Sequence, residues 1–155
     1  MASAVSHERD LPLGELLVRA GLVAPNDLMA ALATARAAHR RLGEVLVEQD
    51  LVNDRDLGRL VAQQEDLEFV DLGKHDLERR AVDLLSERTA RRYHAIPVRF
   101  EGPGVVVAVA DPTDGEGLDA IVTEVPGGVR FVVATQSEVD AALTEAFGNA
   151  PPYGW

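Results

Sequence analysis

The chain has 155 residues, 46% hydrophobic, 26% charged and 5% aromatic, which excludes wholesale disorder and fits one domain or two small subdomains. It has no cysteine, so disulfides, thiolate metal centres, iron–sulfur clusters and cysteine nucleophiles are excluded and a reducing compartment is expected. Lys+Arg total 15 against 26 Asp+Glu, a net charge of -11, so a nucleic-acid polymer is not an expected partner. Lys74, the single lysine, is followed by His75 where a P-loop needs Ser or Thr. Residues 1–10 lack the apolar core of a signal peptide, and no apolar run is long enough to span a bilayer. A soluble, cytoplasmic protein without direct membrane insertion is expected.

Residues 1–11 are expected to form a flexible N-terminus. The segment 12–35 then recurs at 41–64 with an offset of 29 residues. Leu13, Gly14, Glu15, Leu17, Val18, Leu22, Val23, Asp27, Leu28 and Ala33 reappear as Leu42, Gly43, Glu44, Leu46, Val47, Leu51, Val52, Asp56, Leu57 and Ala62. Each copy reads as a short helix, a tight turn and a longer helix, because its apolar residues recur at helical spacing. Gly21 suits a left-handed helix end, Pro25 the first turn of the next helix, and Asn53 a helix cap. Asp50 stands where Gly21 stood, so the second turn is expected to be strained or differently closed. Two helical hairpins packed as a four-helix unit follow, over residues 12–66.

Beyond residue 66 the apolar pattern becomes β-rich. A short strand is expected over 67–72, a helix over 77–93, strands over 95–100 and 105–110, a helix over 116–125, a strand over 129–135 and a last helix opened by Ser137 and Asp140. Residues 67–148 form an α/β subdomain with a three-stranded, mainly antiparallel sheet, giving an α+β fold overall. Residues 149–155 are expected to form a tail, and Pro151–Trp155 is unlike a tag sequence, so a natural terminus is expected. Asp111 and Asp114 read as turn formers, and His75, Asp76, His94 and Asp71 lack metal-ligand spacing. Without a G-x-S-x-G or H-E-x-x-H motif, no catalytic residue and no metal site are expected.

Both copies follow R-L-G-x-x-Φ-Φ-x-x-G-Φ-Φ-x-x-x-x-Φ-x-x-x-Φ-x-x-Q, with Φ aliphatic. After them come Phe69-Val70-Asp71-Leu72, the segment from Leu84 to Arg92, and Ala110-Asp111-Pro112-Thr113-Asp114. In repeat, five-residue spacer and downstream segments the chain resembles the N-terminal domain of type II secretion and type IV pilus assembly ATPases, the GspE N-terminal or MshEN domain. The resemblance implies a non-catalytic regulatory module whose possible ligand is cyclic di-GMP, each repeat holding one half. Carried over by position, it implies contacts from Arg41, Leu42, Gly43, Leu46, Val47, Leu57 and Gln64 in the second copy and Leu13, Gly14, Leu17 and Leu28 in the first. Pro12 replaces the first copy's motif arginine and Ala35 its glutamine. A degenerate site is therefore expected, with Arg36 or Arg9 as possible compensation. For Arg41 and Gln64, a half-site and a plain surface role both remain open. Likewise, the basic group Arg36, His39, Arg40 and Arg41 reads equally as a solvated turn. The module is expected to be an adaptor for a protein of the secretion, pilus or motility machinery. The alternative is a working cyclic di-GMP receptor that controls such machinery.

Overall fold

A computed structural model describes residues 13–74 and 76–148. The expectations for residues 1–11, Arg9, Pro12 and the tail lie outside them. Four helices come first: α1 (Leu13–Arg19), α2 (Pro25–Ala38), α3 (Leu42–Glu48) and α4 (Asp54–Gln64). Among the described residues up to Gln64 there is no strand. The two hairpin turns close alike. Gly21 has φ 75° and Asp50 φ 58°. The Leu22 amide donates to the Leu17 carbonyl and the Leu51 amide to the Leu46 carbonyl, both at 2.9 Å. Asp50 thus takes the left-handed conformation itself, which short polar side chains tolerate better than most.

The interior of this unit repeats as well. Leu17, Ala31, Ala35, Val45 and Leu46 are buried together. A Cβ on Gly14 would sit 3.0 Å from Leu28, and one on Gly43 would sit 3.0 Å from Leu57. Each motif glycine therefore lets the long helix of its own copy cross the short one closely. Pro25 opens α2 without a side-chain cap. Asn53 caps α4 by accepting from the amides of Arg55 (2.8 Å) and Asp56 (3.4 Å).

The second half contains α5 (Arg79–Val82), α6 (Glu87–Tyr93), β1 (Ala95–Glu101), β2 (Gly104–Val109), α7 (Gly115–Glu124), β3 (Val129–Val133) and α8 (Gln136–Phe147). The helix expected over 77–93 is two helices. Ser86 interrupts it as a cap, accepting from the Thr89 amide at 3.2 Å while its own amide donates to Glu124. The strand expected over 67–72 contracts to one bridge, Phe69 with Val133, followed by a 3-10 turn at Leu72–Lys74.

The α+β class with three strands stands, and the sheet, in order β1-β2-β3, is mixed rather than mainly antiparallel. β1 and β2 form an antiparallel hairpin through Gly102 (φ 57°), whereas β2 and β3 run parallel, Val105 beside Val129. The α7 crossover imposes this, since a helical link returns the chain in the same direction. Val105, Val106, Val107, Ala108 and Val109 are all buried, as a central strand covered on both faces requires. The two halves meet where α4 packs on β3. At that contact a Cβ on Gly58 would stand 2.6 Å from the Phe69 ring.

Candidate functional site

An open cleft of about 720 Å³ runs between the second repeat and the carboxyl ends of the parallel strands. One wall is α3 with one face of α4, from Asp54 to Gln64. The other is Ala110 and Asp111 after β2, Ala134 and Thr135 after β3, and the first turns of α8. In α/β sheets this edge is where ligands collect, because the connecting loops splay apart there.

Seven of the candidate residues line the cleft: Leu13, Arg41, Leu42, Gly43, Val47, Leu57 and Gln64. Among the described residues, the other candidates lie elsewhere. Leu17 and Leu46 are fully buried in the helical core, and Gly14 packs against Leu28. Leu28 packs against that same core. Arg36 is exposed in the last turn of α2, away from the cleft wall. Ala35, at the motif glutamine position, is buried in the helical core.

Arg41 precedes α3 in an extended conformation, φ -72° and ψ 141°, which turns its side chain across the cleft. Its Nε donates to Glu44 at 3.0 Å, one terminal nitrogen to Asp111 at 2.9 Å and the other to Gln136 at 2.6 Å. The guanidinium thus ties the second repeat to both strand ends. Its neighbour Arg40 pairs with Glu48 at 2.8 Å and Glu44 at 3.5 Å, and these carboxylates hold its proton more tightly than usual, Glu48 foremost. Glu44, Glu48, Asp54, Asp111 and Asp140 all line the cleft, five carboxylates against two arginines. That balance opposes a phosphate ligand.

Beside the cleft, Arg55 of α4 pairs with Asp71 at 3.1 Å and with Glu138 of α8 at 3.4 Å. A hydrogen bond with Glu138 holds Asp71 below the usual carboxylate range, with help from Arg55. Burial first, and then Asp71, pushes Glu138 above it. The two carboxylates are thus driven apart, so Glu138 takes up a proton before Asp71 as pH falls.

Residue-by-residue reading of the repeat could not find the opposite wall. Asp111 does form its expected turn, accepting from the Thr113 amide at 3.0 Å. It also receives Arg41, and the signal for a second role was the segment Ala110–Asp114 itself. Asp54, Gln136, Ser137 and Asp140 carried no signal.

A model of the MshEN domain matches residues 65–152. The type IV pilus assembly ATPase PilB of Thermus thermophilus is 33% identical over 94% of this chain, which covers 16% of that protein. PilB of Myxococcus xanthus is 25% identical over 90% of this chain and 25% of its own length. The chain therefore spans about a quarter or less of these curated relatives. Among solved structures, MshE with cdg superposes with a TM-score of 0.76 and 31% identity, covering 88% of this chain and 99% of that one. The N-terminal domain of XpsE gives 0.77 at 23% identity, covering 91% and 97%, a likeness of fold.

Proposed function

The chain belongs to the MshEN domain family, and from that premise we propose that it is a non-catalytic interaction module whose cyclic di-GMP site is degenerate. MshE was solved with cdg, an abbreviation of cyclic di-GMP, and that likeness supports a ligand-type cleft in this chain. The observation that carries the reading is the engagement of Arg41. The motif arginine retained by the second copy is already held by Glu44, Asp111 and Gln136, in a cleft lined by five carboxylates. In the first copy Pro12 supplies no guanidinium and Ala35 no amide. Losing a charged hydrogen-bond donor costs about 1.5–3 kcal/mol, or roughly ten- to a hundredfold in affinity.

On this reading the chain acts by binding a protein of a secretion, pilus or motility machine on the cytoplasmic side, and it carries no catalytic residue. Among the described residues, no helix is long and apolar enough to cross a membrane. The test is a calorimetric titration of cyclic di-GMP into wild type and Arg41→Ala. We expect wild-type binding weaker than micromolar. Sub-micromolar binding that Arg41→Ala abolishes would overturn the degenerate-site reading and establish the receptor alternative.

A further inference from the structure

The cleft beside Arg41 carries more negative charge than its own arginines balance. Arg40 is committed to Glu48 and Glu44, and Arg41 to Glu44 and Asp111. Asp54 and Asp140 face the same space from opposite walls. The Ser137 hydroxyl donates to Asp54 at 2.7 Å, and the His94 Nδ1 lies 2.9 Å from Asp140. Among the described residues, neither carboxylate has an arginine or lysine within salt-bridge distance. The repeat side of the lining also carries the aliphatic side chains of Leu13, Leu42, Val47 and Leu57.

We infer that this cleft docks a basic segment of a protein partner, with arginine or lysine side chains paired to Asp54 and Asp140 and an adjoining aliphatic side chain laid on the leucines. The inference rests on the reading of the nucleotide site as degenerate, with the one motif arginine it keeps already engaged by Glu44, Asp111 and Gln136. Two features select this occupant. Charge complementarity is the first: the lining is acidic and so is the whole chain at -11, which steers a cationic segment toward it. The second is that the cleft already seats a guanidinium. Arg41 lies on Asp111 and Gln136, so arginine geometry fits the strand-end wall. A polyamine would satisfy the carboxylates but leave the leucines wet, and an acidic peptide would be repelled.

The probe is a fluorescein-labelled decapeptide of alternating arginine and leucine, followed by anisotropy at about 50 mM and about 300 mM salt, where the Debye length is respectively longer and shorter than about 10 Å. Its arginine–serine counterpart and spermidine are the competitors. The protein is wild type, the double variant Asp54→Asn/Asp140→Asn, and the control Asp27→Asn/Asp119→Asn, which removes the same charge from positions outside the cleft. We expect the cleft pair to weaken peptide binding about tenfold and the control pair less than about twofold. The arginine–serine peptide should bind more weakly than the arginine–leucine one. Asp140→Asn alone, at a half-exposed position on α8, carries the comparison if the double variant does not fold. Absence of peptide binding, equal losses in the two pairs, or equal competition by spermidine would overturn the inference. Cyclic di-GMP titrated into the same samples separates the two failures. Tight nucleotide binding removes the reading beneath the inference, whereas weak nucleotide binding with no peptide binding removes the inference alone.

Discussion

In the second copy of the repeat, Arg41 reaches Asp111 and Gln136, and Arg55 reaches Asp71 and Glu138, all in the α+β half. Twenty-nine residues earlier the first copy has Pro12 and Asn26 at those positions. Gly58 of the second copy lies against Phe69, while its counterpart Met29 is 67% exposed. The apolar and glycine positions, by contrast, do the same work twice. Leu17 and Leu46 are both fully buried, and Gly14 and Gly43 each admit a leucine at 3.0 Å. The difference separates two demands on one motif. Its aliphatic and glycine residues build the hairpin. Its polar residues are free to be reassigned, and here the second copy uses two arginines to dock the helical unit on the sheet. Retention of Arg41 therefore has a structural reason that needs no ligand.

The largest expected effect tests the shared interior. Leu17→Ala and Leu46→Ala should each destabilise the protein by about 2–5 kcal/mol in urea titrations, because each leaves a cavity in the same core. If one costs several kcal/mol and the other almost nothing, the copies are not equivalent in packing. A smaller effect tests the turns. Gly21→Asp should cost about 1 kcal/mol, and Asp50→Gly should gain somewhat less than that, since glycine relieves the left-handed strain but adds unfolded-state entropy. Opposite signs sharpen the equivalence of the two turns, while a loss at both positions would break it.

The smallest effect concerns the tie through Arg55. Glu138 is raised in the fold, so its contribution is fully present below the ordinary glutamate value and is lost as pH rises through the raised one. Asp71 is depressed, so its contribution is present above the ordinary aspartate value and is lost as pH falls through the lowered one. Glu138→Gln removes the first dependence and leaves Asp71 its Arg55 partner. The variant's urea midpoint should gain on wild type as pH rises from the ordinary glutamate value toward neutrality. Parallel midpoint curves for the two proteins would show that Glu138 is not raised in the fold.

Much of this architecture was legible because it is local. Pro25, Asn53 and Gly21 act within one turn of their own positions, and the valines of β2 announce a covered strand. The parallel pairing of β2 and β3 was implicit in the helix between them, although a mainly antiparallel sheet was expected. Ser86 splits a helix because Glu124, 38 residues away, also anchors it. The cleft was legible on one side only. Arg41 meets partners 70 and 95 residues away, and no periodicity in the repeat records where the ends of β2 and β3 arrive.

Gly58 acts as a gauge block between two jaws. The α4 helix that it carries also presents Asp54, Leu57, Val61 and Gln64 to the cleft, and Phe69, which it touches, is pinned to β3 through Val133. Ordinary carbon–carbon contact is about 3.5–4.0 Å. A single methyl group at 58, built 2.6 Å from the ring, would prise α4 outward unless the ring gave way. The closeness of α4 to the sheet thus depends on a hydrogen atom in place of a carbon, at a residue whose own backbone forms part of the cleft lining.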